Sequence, residues 1–195
     1  QQGYPKHLTL LGPAFGITLL FTAAGCGRES KVDIATREKI LIMGNGAEPK
    51  ALDPHIVSSV GDSNILRALF EGLVAYHPTN DMLHEPGVAE RWEPNEDFSE
   101  WTFFLRKDAL WSNGDPVTAN DFVYSYNRIL HPEMAAPYSS MLYFLKNAEA
   151  FNRGEIEDFS KVGVRAEGDY KLICTLKGPT PVSYTHLTLP TTYHV

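Results

Sequence analysis

The stretch Pro86–Leu130, PGVAERWEPNEDFSEWTFFLRKDALWSNGDPVTANDFVYSYNRIL, changes its apolar period partway along, and that change decides the fold class. Trp101, Phe103 and Leu105 alternate with Thr102, Phe104 and Arg106, which predicts a strand. Ser112-Asn113-Gly114-Asp115 is turn chemistry. Thr118, with Asp121 three residues on, imitates a capping box ahead of Phe122, Val123, Tyr126, Ile129 and Leu130, so a helix is predicted over 118–130. Strand, turn and amphipathic helix in succession point to a body that mixes α and β.

The same reading extends outward in both directions. Lys39-Ile40-Leu41-Ile42-Met43, stopped by Gly44-Asn45-Gly46, predicts a buried strand and its turn. Pro54 pushes Asp53 toward extended geometry. Asp62-Ser63-Asn64 reads as a cap before Ile65, Leu66, Leu69, Phe70 and Leu73, giving a helix over 63–73. Val162–Ala166 and Lys171–Leu176 flank Gly168-Asp169 and read as two strands joined by a tight turn. These elements follow no repeat period, so a mixed body is expected, α+β or an irregular α/β.

Composition narrows the functional classes. With 17 Lys and Arg against 24 Asp and Glu, the net charge of −7 argues against a nucleic-acid groove or polybasic membrane patch. The 43% hydrophobic content excludes wholesale disorder. Leu8–Ala24 carries no charge, follows Lys6 and His7, and is interrupted by Gly12, Pro13 and Gly16. It is shorter than the ~20 apolar residues of a permanent span and has the form of a secretory signal. Ala23-Ala24-Gly25-Cys26 resembles a bacterial lipobox, which makes Cys26 the expected lipidation site and residues 1–26 a lipoprotein signal peptide. Residues 27–38 are expected to be a polar tether.

Motifs for chemistry are sparse. No glycine-rich phosphate loop, Gly-x-Ser-x-Gly elbow or His-Glu-x-x-His occurs, so neither catalysis nor a cofactor or metal is expected. His77 and His84, near Asp81 and Glu85, read as solvated loop histidines rather than ligands. Glu93, Glu96, Asp97 and Glu100 read as a solvated loop around Trp92 and Trp101, and Cys174 as a small core residue.

One set of segments is more specific. Leu52-Asp53-Pro54, Leu69-Phe70-Glu71-Gly72-Leu73, Pro86-Gly87-Val88-Ala89-Glu90 and Trp101-Thr102-Phe103 occur in that order. Trp111-Ser112 with Gly114, Pro116-Val117-Thr118-Ala119 and Asp121-Phe122-Val123-Tyr124-Ser125 complete it. From about Ile40 to Pro181 the chain resembles the extracytoplasmic solute-binding proteins of peptide ABC importers, the oligopeptide, dipeptide and nickel family (family 5). The resemblance implies a periplasmic-binding-protein-like fold of two lobes, with only the N-terminal portion present. It implies a receptor, not an enzyme, that captures oligopeptides outside the cytoplasmic membrane for ABC permease subunits. Such a receptor is expected to be a monomer, periplasmic or at the cell surface, and lipid-anchored through Cys26. Residues 39–51 and 161–181 are expected in the first lobe, and 52–160 as a small second domain inserted into it.

The resemblance also assigns contacts. Ser58, Ser59 and Val60, in the loop after Leu52–His55, are expected to meet the ligand. Tyr138, in Ala136-Pro137-Tyr138, is expected to line the pocket. The family's oligopeptide binders often carry a carboxylate where Ser58 stands. Dipeptides, nickel complexes or haem are alternative cargoes, and a lipid-anchored enzyme or metal-site protein is the alternative of a different class. The ending PVSYTHLTLPTTYHV has no Asp, Glu, Lys or Arg, although these make up 21% of the chain. Pro181–Leu187 is the translation of cct-gtc-tct-tat-aca-cat-ctg, a string containing the transposase mosaic-end adapter, so residues 182–195 are expected to be a non-native tail.

Overall fold

The computed structural model describes residues 29–46, 48–77, 79–80 and 84–179. The whole signal segment, Cys26 included, and the tail from 182 onward lie outside these residues. The chain divides into two units, Gln1–Gly44 and Asn45–Val195. Among the described residues no helix is long and apolar enough to cross a membrane.

In the first unit, part of the expected tether forms a helix, α1 (Lys31–Glu38). A capping signal starts it: Ser30 Oγ accepts from the Asp33 amide at 3.1 Å and donates to the Asp33 carboxylate at 2.6 Å. Lys39 closes it in the left-handed conformation, φ 57°. The strand expected over 39–43 is not formed. Ile40, Leu41, Ile42 and Met43 are exposed, and none of them is in a strand. Apolar composition favours a strand only when a neighbouring edge receives its backbone hydrogen bonds, and among the described residues no edge pairs with this run.

The second unit is built on a four-stranded antiparallel sheet and a helix. The strands are β1 (Val74–Tyr76), β2 (His84–Pro86), β3 (Ala89–Pro94), β4 (Glu100–Leu105), β5 (Val164–Ala166) and β6 (Lys171–Thr175). β1 pairs with β2, and the larger sheet runs β3-β4-β6-β5. The predicted alternation holds in β4, where Trp101, Phe103 and Leu105 are buried. On the other face, the Arg91 guanidinium covers the Phe104 ring at 3.4 Å. Cys174 is fully buried in β6, and burial pushes its thiol pKa well up, so it is a core residue without thiolate character.

The helix predicted at 118–130 is α3 (Ala119–Leu130). The Asp121 carboxylate accepts from the Thr118 amide at 2.7 Å and hydroxyl at 3.1 Å. Ala119, Phe122, Tyr126, Ile129 and Leu130 form its buried face, at helical spacing, and join the core shared with Phe103, Leu105 and Leu172. A short helix, α4 (Ala148–Asn152), buries Ala148 and Phe151 in the same core.

Two boundaries differ from expectation. The helix predicted over 63–73 is α2 (Val60–Leu69). Ser59, not Asp62, caps it: Ser59 Oγ accepts the Asp62 amide at 3.1 Å, and buried Asp62 accepts from the Lys50 amide at 3.2 Å. Its C-terminal end is set by competition. The Gly72 and Leu73 carbonyls accept the Val88 and Ala89 amides, each at 2.9 Å, which draws the chain out of the helix after Leu69. Gly87 permits that approach, because a Cβ there would lie 2.4 Å from the Gly72 oxygen. β6 pairs with β4 from Glu100↔Thr175 to Phe104↔Lys171, so 164–175 shares a β layer with 89–105. The buried faces of these strands complete one core, which ties them together.

Candidate functional site

Ser58, Ser59, Val60 and Tyr138 line one pocket of about 340 Å³. The loop before α2 supplies the first three. Ser59 is held as the helix cap, which leaves Val60, the first helical residue, 78% exposed at the rim. Tyr138 comes from the segment that follows α3 in the chain, where Pro137 leads into a 3₁₀ turn (Ser139–Leu142), and its side chain is half exposed. Leu66, Ile129 and Leu142 are buried and form an apolar floor. Ser63, Asn64 and Arg67, on the same face of α2 as Val60, add hydrogen-bonding groups. Their i, i+3, i+4, i+7 spacing was a signal in the sequence, but it is masked there by the stronger apolar stripe Ile65, Leu66, Leu69.

The loop is anchored to α3 by a polar cluster that pattern reading misses. Arg128 donates to Asp53 through two nitrogens, Nη1 to Oδ1 at 2.9 Å and Nη2 to Oδ2 at 2.5 Å. Nη1 also lies 2.5 Å from His55 Nδ1. A guanidinium only donates, so Nδ1 accepts and the imidazole proton sits on Nε2, which donates to Ser125 Oγ at 3.1 Å. His55 and Ser125 are almost completely buried. Asp53 closes the turn: its carboxylate accepts the His55 amide at 3.1 Å, and its carbonyl accepts the Ile56 and Val57 amides. The Arg128 guanidinium holds the Asp53 carboxyl below the usual carboxylate range. Pro54 and Val57 line the pocket beside this cluster, and Ile129 follows Arg128 on α3, so one helix turn carries both anchor and floor.

The remaining candidates do not converge. His77 Nδ1 accepts from the Thr79 amide at 3.2 Å, its Nε2 lies 3.5 Å from Glu85, and His84 is in β2. Among the described residues no group of three or more His, Cys, Asp or Glu is placed to hold a metal ion. Glu93, Glu96, Asp97 and Glu100 occupy the β3–β4 hairpin. There the Asp97 carboxyl is kept below its ordinary value by hydrogen bonds from Ser99. Trp101 is buried, and Trp92 and Trp111 pack partly buried against the core, away from the pocket lining.

The periplasmic oligopeptide-binding protein OppA of Haemophilus influenzae is 39% identical over 181 residues, 92% of this chain and 33% of that protein. The Escherichia coli protein of the same name is 43% identical over 161 residues, 80% of this chain and 28% of that one. The crystal structure of the H. influenzae protein in complex with RPPGFSPFR superposes with a TM-score of 0.69 at 42% identity, covering 75% of this chain and 29% of that one. The chain thus spans about a third of the length of the curated relatives it matches. Residues 84–195 match the family described as bacterial extracellular solute-binding proteins, family 5 middle. The chain belongs to the bacterial extracellular solute-binding proteins of family 5.

Proposed function

We propose that this chain forms one wall of the ligand cleft of an ABC-importer receptor, which captures oligopeptides outside the cytoplasmic membrane and delivers them to membrane permease subunits. The observation that carries this reading is the meeting of Ser58–Val60 and Tyr138, from segments far apart in sequence, in one mostly apolar pocket. The chemistry suits peptide main chain. Serine hydroxyls and a tyrosine offer hydrogen bonds of no particular sequence preference, and the apolar floor accepts side chains loosely. The relatives named above are oligopeptide-binding proteins, which supports the same cargo. Trialanine titrated into the full-length gene product is expected to bind about tenfold more weakly when Tyr138 is changed to Ala, in line with the loss of a well-placed interface aromatic. Unchanged affinity in both Tyr138→Ala and Val60→Asp would remove this pocket from the ligand site.

In the same proposal Cys26 carries the lipid anchor. Mass spectrometry of the membrane fraction should find a diacylglyceryl group on Cys26, and Cys26→Ser should release the protein into the soluble fraction. An unmodified Cys26 in membrane-bound protein would contradict the anchor.

A further inference from the structure

The described residues include seven arginines, and six of them face a carboxylate. Arg37 meets Glu29, Arg91 meets Glu93, and Arg106 meets Glu71. Arg128 meets Asp53, Arg153 meets Glu149, and Arg165 meets Glu100. Arg67 alone among them has no such partner, although acidic residues outnumber basic ones in the chain by 24 to 17. Among the described residues that line the pocket it is also the only charged one. The other polar groups on that lining are neutral: Ser58, Ser59, Ser63, Asn64 and Tyr138.

We infer that Arg67 is a specificity determinant that selects ligands bearing a carboxylate over this pocket, an acidic peptide being the chemical class. This rests on the peptide-receptor reading above. A guanidinium presents a planar fork of donors that matches a carboxylate with two parallel hydrogen bonds, and no acidic side chain on the lining competes for it. In an open pocket the gain is small, because water screens the charge. It grows when a bound peptide displaces that water, since the same pair then sits in a lower dielectric. Tyr138 and the apolar floor supply the affinity common to all peptides, whereas Arg67 distinguishes a carboxylate from its neutral isostere.

The test uses tetra-alanine in which each position in turn carries Glu or Gln, together with its C-terminally amidated form. These peptides are titrated into the full-length gene product at low and high salt. At one position, or at the terminus, the carboxylate form is expected to bind roughly tenfold more tightly than the neutral form, with the ratio shrinking as salt rises. Arg67→Gln should bring that ratio to about one, and Arg67→Lys should retain part of it because it keeps the charge. A ratio that survives in Arg67→Gln, or a uniform loss for every peptide with no change in ratio, overturns the assignment; the second pattern would place Arg67 against the rest of the receptor instead. If every peptide binds but no carboxylate preference appears in the unmodified protein, only this inference fails. If no peptide binds the unmodified protein, the receptor reading fails and this one with it.

Discussion

Arg128→Leu is expected to lower stability by about 2 kcal/mol and to release residues 53–57 from α3. The magnitude lies between the ~0–1 kcal/mol of an exposed pair and the ~3–5 kcal/mol of a fully buried one, because Arg128 and Asp53 retain about a third of their side-chain exposure. The substitution takes the guanidinium away from the Asp53 carboxylate, which keeps the His55 amide, and from the Nδ1 of buried His55. Amide hydrogen exchange localises the effect. The Ile56 and Val57 amides, bonded to the Asp53 carbonyl, should exchange at least tenfold faster, and the core of β4 and β6 should change much less. Equal acceleration across the whole unit would mean that the cluster only stabilises the fold globally.

The same pair carries a pH signature. The Asp53 pKa is lowered in the folded state from its ordinary value of 3.8, first by the hydrogen bond from Arg128. A depressed carboxyl contributes stability that is present above the unfolded value and is lost as pH falls through the folded one. The stability difference between the unmodified protein and Arg128→Leu should therefore be constant near neutrality and narrow below about pH 3.8. A difference that stays the same from neutral to strongly acidic pH would show that the ion pair is not its source.

Gly163→Ala is expected to destabilise the second unit by about 3 kcal/mol, at the upper end for overpacking, with a Tm lower by about 10 °C. Space, not backbone conformation, is what alanine lacks there. A Cβ would lie 2.1 Å from the Thr175 carbonyl oxygen and 3.0 Å from the Lys146 amide nitrogen and Cβ. Two of those obstacles are backbone, and both are tied to Gly163 itself: its amide donates to the Lys146 carbonyl at 2.8 Å, and its carbonyl accepts the Thr175 amide at 2.7 Å. Relief of the clash must therefore break a hydrogen bond that holds the end of β6. Thermal unfolding followed by circular dichroism checks this, and a Tm within 2 °C or so of the parent would show that the segment yields freely.

Much of the second unit was legible in the sequence because its signals lie between near neighbours. Trp101, Phe103 and Leu105 announce β4 by alternation, and Thr118 with Asp121 announces the start of α3. The Gly168-Asp169 turn between β5 and β6 reads equally well. Ser30 and Asp33, which cap α1 within the expected polar tether, are a local signal of the same kind. Local signals misled where tertiary pairing competed with them. Leu73 continues the apolar face of α2, yet the approach of Gly87–Ala89 takes its carbonyl and ends the helix at Leu69. The run 40–43 has strand composition, but among the described residues no edge receives it.

The site divides along the same line. Sequence, through the family's segments, singles out the loop Ser58–Val60 and Tyr138. That Ser58–Val60 and Tyr138 share a pocket, that Arg67 stands in it without a carboxylate, and that Asp53, His55, Ser125 and Arg128 form one anchor were decided only by the tertiary structure. Caps and periods are written in residues a turn or a pleat apart. Hydrogen bonds and ion pairs between groups some seventy residues apart depend on how α3 packs against the rest of the unit, and no periodicity records them.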